Sequence, residues 1–350
     1  MKEKLSILLE KLYRENYLEK EELKFILDNI TYETAGPLFY YASKTRKKIY
    51  QDRVFLRALV EISNYCKNNC LYCGIRKDNR HVGRYRLLPE QIINCCRSAY
   101  QQGYRTFVLQ GGEDNFYTTG ILAAIIREIK SNFPDMAVTL SLGERSREDH
   151  QELFEAGADR YLLRHETISG ELYQKYHPGM IQEKRLQALK TLKEIGFQAG
   201  TGFIIGLPGQ DNEILVEELH FLKEFKPAMA GIGPLIPHPE TPLAEAETGS
   251  VNKTLILLAL IRLLLPEVLL PVTTAVNTLD RKGWEKGFEA GGNVIMPVIT
   301  PASFRNKYEI YKNKGSADGS KLKEIKERIE KAGYQVDMGR GDNPLWLKAN

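Results

Sequence analysis

Cysteine is missing from most of the chain. All five cysteines lie between Cys66 and Cys96 of a 350-residue protein, and none follows them. A secreted protein stapled by disulfides usually needs cysteines more widely spread, so the clustered thiols indicate a reducing compartment. The N-terminal residues MKEKLSILLEKLYRENYLEKEEL carry a charge every few positions and lack the apolar centre of a signal peptide. We therefore expect a cytoplasmic protein.

Long hydrophobic runs and a strong charge of one sign are also missing. The most apolar segment, residues 254–271, is interrupted by Arg262, Pro266 and Glu267, which leaves it too short to cross a bilayer. The chain has 49 Lys and Arg against 45 Asp and Glu, a formal charge of +4, too balanced to attract phosphates strongly. The sequence thus predicts neither a membrane nor a nucleic-acid partner.

A repeated alternation of short apolar runs with amphipathic segments dominates the rest of the chain. It predicts an α/β protein with a complete (β/α)8 TIM-type barrel, whose functional groups lie at the carboxyl ends of the strands. We expect an N-terminal helical extension at residues 1–50, the barrel at residues 51–312, and a C-terminal helical and irregular extension at residues 313–350. The eight predicted strands are residues 54–63, 106–112, 137–143, 160–166, 200–207, 229–235, 272–276 and 293–298.

Three cysteines form the most specific chemical motif. Cys66, Cys70 and Cys73 have the spacing C-x3-C-x2-C and directly follow the first predicted strand. Three thiolates can hold three irons of a four-iron four-sulfur (4Fe-4S) cluster and leave the fourth iron open to a chelating molecule. A zinc site completed by His81, or thiols without a metal, are the alternatives.

This cysteine spacing, with the aromatic Tyr72 before the third cysteine, resembles the radical S-adenosylmethionine (SAM) enzymes. The resemblance implies that the open iron binds SAM, and that an electron from a low-potential donor cleaves SAM into methionine and a 5′-deoxyadenosyl radical. The longer motifs resemble the HydE family of FeFe-hydrogenase maturases, a group close to biotin synthase and methylornithine synthase. These motifs are RALVEISNYCKNNCLYCGIRKDN, VLQGGED, TLSLGE, AGADRYLLRHET, GLPGQ, GIGPLIPHPETPLA, TTA and NVIMPVITP.

The resemblance also assigns residues to the cofactor. It places the methionine ammonium of SAM at Gly111, Gly112 and Glu113, the ribose hydroxyls at Glu166, and the methionine carboxylate at Arg185. A solvated helix charge is the alternative for Arg185. Tyr72 is also expected at the cofactor site, and Ser141 and Met229 are weaker candidates for lining it.

Two arginines indicate an anionic substrate. Arg57 and Arg164 lie within apolar strands, where an unpaired guanidinium would be costly to bury. An internal ion pair with Glu61 or another strand carboxylate is the alternative. By resemblance both arginines face a deep substrate chamber, together with Gln110, Thr273, Thr274, Met296 and Tyr308.

The resemblance implies a role in assembling the diiron subsite of the hydrogenase H-cluster. The expected substrate is a cysteine-ligated iron carbonyl cyanide complex made by the maturase HydG, and the maturase HydF is a possible recipient of the product. Because no cysteine follows Cys96, we expect one cluster and not the second, C-terminal cluster that some HydE proteins carry. A lysine mutase similar to methylornithine synthase and a noncatalytic metal-binding scaffold remain alternatives.

Overall fold

The computed structural model describes residues 2–314 and 318–349. Its strands are β1 Arg53–Leu56, β2 Ala58–Ser63, β3 Thr106–Gly111, β4 Ala137–Ser141, β5 Arg160–Leu162, β6 Gln198–Thr201, β7 Ile204–Ile205, β8 Met229–Ala230, β9 Gly233–Pro234, β10 Val294–Ile295 and β11 Gln335–Asp337. Its α-helices are α1 Lys2–Glu15, α2 Lys20–Asn29, α3 Gly36–Tyr50, α4 Pro89–Gln101, α5 Thr119–Asn132, α6 Arg147–Glu155, α7 Gly170–Tyr176, α8 Gln182–Ile195, α9 Asn212–Phe225, α10 Val251–Leu264, α11 Thr274–Leu279, α12 Gly283–Glu289, α13 Ala302–Arg305, α14 Leu322–Lys331 and α15 Pro344–Ala349.

A parallel sheet of six strands forms the centre of the protein, in the order β2-β3-β4-β5-β6-β8. A second parallel sheet has the order β10-β1-β11, and β7 pairs with β9. Single bridges join Met229 to Leu269, Pro271 to Val294, and Leu59 to Val298. Parallel strands alternating with helices confirm the predicted α/β class.

One predicted strand is wrong. Residues 272–276 do not form a strand, because α11 begins at Thr274 and Thr273 occupies its extended N-cap position. The extended segment lies slightly earlier, where Leu269 and Pro271 make single bridges to neighbouring strands. Residues 268–272 are all buried whereas both threonines are partly exposed, so the buried extended segment ends before Thr273. Each of the other seven predicted runs contains a strand.

The N-terminal helices pack against one another and against the helices that connect the strands. Helix α3 packs on α10, α2 on α9, and α1 on α3. Almost every residue of α10 is buried, which explains why this helix is apolar on all its faces. No helix in the described part of the chain is long and apolar enough to cross a bilayer.

The C-terminal segment caps the amino-terminal ends of the strands. Asp342 accepts hydrogen bonds from Arg160, the first residue of β5, and from Gln198, the first residue of β6, with the Gln198 Nε2 to Oδ1 distance at 2.6 Å. Thr106, which begins β3, donates to the backbone oxygen of Arg340 at 2.9 Å. Polar groups that face the strand ends thus find their partners in the tail. The boundaries at residues 50 and 312 stay a prediction.

Candidate active site

A cavity of about 350 Å³ opens among the carboxyl ends of the strands and the loops that follow them. It brings together sixteen of the eighteen site residues that the sequence predicted. They are Cys66, Cys70, Tyr72, Cys73, Gln110, Gly111, Gly112, Glu113, Ser141, Arg164, Glu166, Arg185, Thr273, Thr274, Met296 and Tyr308. Their roles stay predictions, but their convergence on one cavity is a finding.

The three cysteines lie on the loop after β2, and separate parts of the fold hold this loop by its backbone. The Lys67 amide donates to the Glu113 backbone oxygen at 2.9 Å, Leu71 to Tyr176 at 3.0 Å, and Gly74 to Ile310 at 2.9 Å. Contacts with segments so far apart in sequence fix the loop against the cavity wall.

All three thiols are free and mostly desolvated. Burial, with the neighbouring Cys66 thiol, raises the pKa of Cys73 to about 12. Burial and the thiols of Cys73 and Cys66 raise the pKa of Cys70 well above its ordinary value. Thiols in such surroundings ionise when a cation binds them, so the donor set fits an iron-sulfur cluster.

The zinc alternative lacks its fourth ligand. His81 is largely exposed, and its Nε2 atom lies 3.7 Å from Glu240. Among the residues described, no three His, Cys, Asp or Glu side chains are grouped to hold one metal ion. Three thiols around a cavity suit a cluster with several irons better than a single zinc ion.

Gly112 is required by the close approach of the cysteine loop. A Cβ atom at this position would lie 2.2 Å from the backbone oxygen of Tyr65 and 2.7 Å from the Cβ of Cys66. Both distances are far below van der Waals contact, so a side chain here would displace the loop that carries the first cysteine.

Arg185 is buried between two carboxylates. It is 7% exposed, its Nε lies 2.7 Å from Glu144 Oε1, and its Nη2 lies 3.4 Å from Glu113 Oε1. Burial alone would lower the pKa of Arg185, but Glu113 and Glu144 raise it overall. The alternative of a solvated helix charge is therefore wrong. Glu144 was not predicted as a site residue. Only its position in the loop after β4 could have indicated it.

Arg164 pairs with Glu166 in the segment that follows β5, with 3.2 Å between Nη2 and Oε2. Glu166 has φ of 68°, a left-handed conformation that costs energy for a residue with a side chain. Its amide donates to Gly202 and its carbonyl accepts from Ile204. These bonds hold the strained backbone where the carboxylate lines the cavity. The alternative for Arg164, an internal ion pair with a carboxylate, is thus present, although Glu61 itself pairs with Lys314.

Arg57 and Met229 lie outside the cavity lining, which corrects their predicted placement. Arg57 is fully buried between β1 and β2, where its Nη1 contacts the Met229 sulfur at 3.1 Å. Its Nη2 donates to the backbone oxygen of Gly341 at 3.1 Å. The charge of Arg57 is thus directed toward the C-terminal tail, which the sequence pattern could not reveal.

Tyr72 is held by a histidine that the sequence analysis missed. The Tyr72 hydroxyl lies 2.8 Å from His177 Nε2, and His177 Nδ1 lies 2.9 Å from the Tyr173 backbone oxygen. Because a carbonyl only accepts, Nδ1 carries a proton; in the neutral ring, Nε2 accepts from the tyrosine. Burial lowers the pKa of His177, which favours this neutral form.

Residues 308–314, which follow α13 and contact the cysteine loop where Gly74 donates to Ile310, line another part of the cavity. Gln110 Nε2 donates to the Tyr308 hydroxyl at 3.4 Å, and Thr274 shares a 2.7 Å hydrogen bond with Tyr311. Tyr311, Glu61 and Lys314 also line the cavity without having been predicted to. Of these three residues, only Glu61 had a signal in the sequence, because it is a carboxylate within the apolar run LVEIS.

Comparisons with known proteins bear on the family of this chain. The model of the radical SAM superfamily matches residues 60–222. The FeFe-hydrogenase maturase subunit HydE of Thermotoga maritima is 47% identical over 307 residues, which cover 88% of this chain and 87% of that protein. The chain belongs to the HydE family of radical SAM enzymes. This confirms the family that the sequence motifs indicated.

More distant relatives of this HydE-family chain share its fold. A 3-methylornithine synthase of Methanosarcina acetivorans is 26% identical over 93% of this chain and 92% of its own length. The crystal structure of methylornithine synthase (PylB) superposes with a TM-score of 0.83 over 94% of this chain and 97% of that one, at 24% identity. The radical SAM family implies a 4Fe-4S cluster and SAM, and the free thiols beside the cavity fit the cluster.

Proposed function

We propose that this HydE-family enzyme binds one 4Fe-4S cluster through Cys66, Cys70 and Cys73, and SAM in the adjoining part of the cavity. The observation that carries the proposal is the placement of three free thiols and the buried Arg185 on one cavity. When bound and reduced by a low-potential donor, the cluster supplies the electron that cleaves SAM into methionine and a 5′-deoxyadenosyl radical.

The residues around Arg185 would hold the methionine part of SAM. Arg185 offers a planar guanidinium to the carboxylate, and Glu113 with the backbone at Gly111 and Gly112 accepts the ammonium. Glu166 accepts the ribose hydroxyls at the other side of the cavity. Tyr72, fixed by His177, and Ser141 complete this lining.

The substrate would be a cysteine-ligated iron carbonyl cyanide complex, converted into a precursor of the diiron subsite of the hydrogenase H-cluster. The 47% identity with HydE of Thermotoga maritima supports this proposal. Arg164, Gln110, Thr273, Thr274, Met296 and Tyr308 are the proposed substrate residues. HydG would supply the complex, HydF would receive the product, and cytoplasm would be the compartment because the cluster needs reduced thiols.

Radical chemistry also needs protection from water and from side reactions. We propose that the strands close into a full eight-stranded barrel around the substrate. The single bridges from Met229 to Leu269 and from Pro271 to Val294, with the pairing of β10 with β1, support this closure. The C-terminal tail would close the opposite end of the barrel.

Reconstitution of hydrogenase maturation tests the function. Purified HydG and HydF, apo-hydrogenase, SAM and reductant are combined anaerobically with this protein or with its Cys70→Ala variant. We expect active hydrogenase with the wild-type chain and about background activity with the variant. Iron analysis should give four irons per chain. Zinc in place of iron, or maturation that is equally fast without this protein, would reject the proposal.

Lysine mutase activity is the second candidate, because the 3-methylornithine synthase of Methanosarcina acetivorans aligns over 93% of this chain. Such an enzyme turns over lysine without any iron complex. Incubation of the reconstituted protein with SAM, reductant and isotope-labelled lysine separates the two functions. A labelled isomer of lysine would favour the mutase, and unchanged lysine would favour the maturase.

A further inference from the structure

A further pair of opposite charges lies in the cavity, apart from Arg185 with its carboxylates and Arg164 with Glu166. Glu61 on β2 pairs with Lys314, which lies 253 residues further along the chain. The Glu61 side chain is fully buried and that of Lys314 is 5% exposed. Both residues line the cavity, so their charges face the space that would hold a ligand.

Glu61 has an unused acceptor. Its Oε1 atom contacts Lys314, but Oε2 is buried without a hydrogen-bond partner among the residues described. The backbone amide of Glu61 donates to Thr300 at 2.7 Å, which fixes the strand. A buried carboxylate oxygen is costly to leave unpaired, so this atom is a ready acceptor for a ligand donor.

Stability alone gives little reason for this pair. Replacing a buried ion pair by apolar residues of similar size is often neutral or stabilising, because both charges must be desolvated. The Glu61–Lys314 pair lies between an apolar cluster and the polar side chains of neighbouring strands. Leu59, Val108 and Val298 form a buried cluster, whereas Glu61 is in register with Gln110 on β3, and Gln110 with Ser141 on β4.

We propose that Glu61 and Lys314 bind the amino-acid end of the substrate, Glu61 through its free Oε2 to the α-ammonium and Lys314 to the α-carboxylate. The inference rests on the proposed function, which assigns Arg185 and Glu113 to the amino-acid end of SAM. Arg185 with Glu113 would then hold the amino-acid end of SAM, and Lys314 with Glu61 that of the substrate. The flexible stem of Lys314 lets its ammonium move from Glu61 to a carboxylate nearby.

Binding of three matched probes tests this assignment. S-methyl-L-cysteine carries both charges, its N-acetyl derivative lacks the ammonium, and its methyl ester lacks the carboxylate. Each is titrated by calorimetry into the anaerobic, cluster-loaded protein saturated with SAM. We expect Glu61→Gln to lower the affinity for S-methyl-L-cysteine, the parent probe, and for its methyl ester about tenfold or more. The affinity for the N-acetyl probe should not change. Lys314→Met should lower the affinity for the parent probe and for the N-acetyl probe, but not for the methyl ester.

Control variants separate binding from folding. Lys312→Met removes an exposed lysine from the same loop and should leave all three affinities unchanged. Lys314→Met leaves the buried Glu61 carboxylate without its cation, which destabilises the fold. The double variant Glu61→Gln with Lys314→Met therefore removes both charges together. It should fold and still bind the parent probe weakly. Wild-type affinity in this double variant would show that the pair is structural only.

The remaining outcomes also decide the question. Equal weakening of all three probes by a single variant, or no binding of S-methyl-L-cysteine to the wild-type protein, would overturn the assignment. SAM cleavage is measured on the same preparations. If the wild-type protein cleaves SAM but the variants do not discriminate among the probes, this inference is rejected and the proposed function stands. If the wild-type protein cannot cleave SAM, the proposed function itself is rejected.

Discussion

Arg185 Nε lies 2.7 Å from Glu144 Oε1, at a buried position that Glu113 approaches from the other side. The guanidinium thus has a fixed orientation before any ligand binds. A preorganised planar cation can take a carboxylate through two parallel hydrogen bonds, which a lysine ammonium cannot.

The variant Arg185→Lys keeps the charge and loses this geometry. We expect the KM for SAM to rise about tenfold or more, since the paired hydrogen bonds to the methionine carboxylate are lost. The measurement is the rate of 5′-deoxyadenosine formation against SAM concentration. Lys190→Met, an exposed site on the same helix, is the control. An unchanged KM in Arg185→Lys would remove Arg185 from the SAM site.

Substitution of Gly112 should disturb the cluster. In Gly112→Ala the new Cβ would meet Tyr65 and Cys66 at 2.2 Å and 2.7 Å, so the cysteine loop must shift. We expect a clear loss of bound iron and of the cluster absorbance after anaerobic reconstitution. Gly120→Ala is the matched control, because nothing lies within 4 Å of its Cβ position. Equal iron content in the two variants would contradict the close approach.

The C-terminal tail should stabilise the fold through Asp342. Burial alone would raise the pKa of Asp342, but Arg160, Gln198 and Arg340 bring it to about 2. Its stabilisation is present above the ordinary aspartate pKa near 3.8 and disappears as the pH falls through about 2. At pH 7, Asp342→Asn leaves the buried Arg160 without its anion.

We expect Asp342→Asn to lower the free energy of unfolding by about 3 kcal/mol in urea. Asp337→Asn breaks a more exposed pair with Arg53, whose side chain is 41% exposed, and should cost less than about 1 kcal/mol. Similar losses in both variants would mean that the tail contributes no more than a surface contact does.

His150 should make stability depend on pH. Burial lowers the pKa of this fully buried histidine to about 4, so below pH 6.5 the unfolded chain binds a proton that the folded chain excludes. Folded stability is therefore lost as the pH falls from about 6.5 toward 4, by about 2 kcal/mol between pH 7 and pH 5.

The variant His150→Phe should remove this part of the pH slope of the unfolding free energy. His81→Asn, at a largely exposed site, should retain the wild-type slope. The comparison is made by urea unfolding at several pH values between 5 and 7.5. Parallel wild-type and His150→Phe curves would show that His150 is not a buried neutral histidine.

The sequence was most informative where function depends on local spacing. The three cysteines, Gly112 and Glu166 could be placed because each lies just after an apolar run, and parallel strands bring such ends together. The strand predicted at residues 272–276 was wrong, because threonine and valine favour strands, whereas α11 begins there at Thr274. Lys314, His177 and the partners of Arg57 could not be predicted, since they meet their contacts only through packing of segments far apart in sequence.

Reductive cleavage of SAM is the most direct test of the central claim. The reconstituted protein is reduced with dithionite under anaerobic conditions, SAM is added, and methionine and 5′-deoxyadenosine are quantified beside a Cys70→Ala control. We predict both products in equal amounts from the wild-type chain and neither above background from the control. A fully assembled and reduced cluster that leaves SAM intact would contradict the assignment of radical chemistry to this cavity.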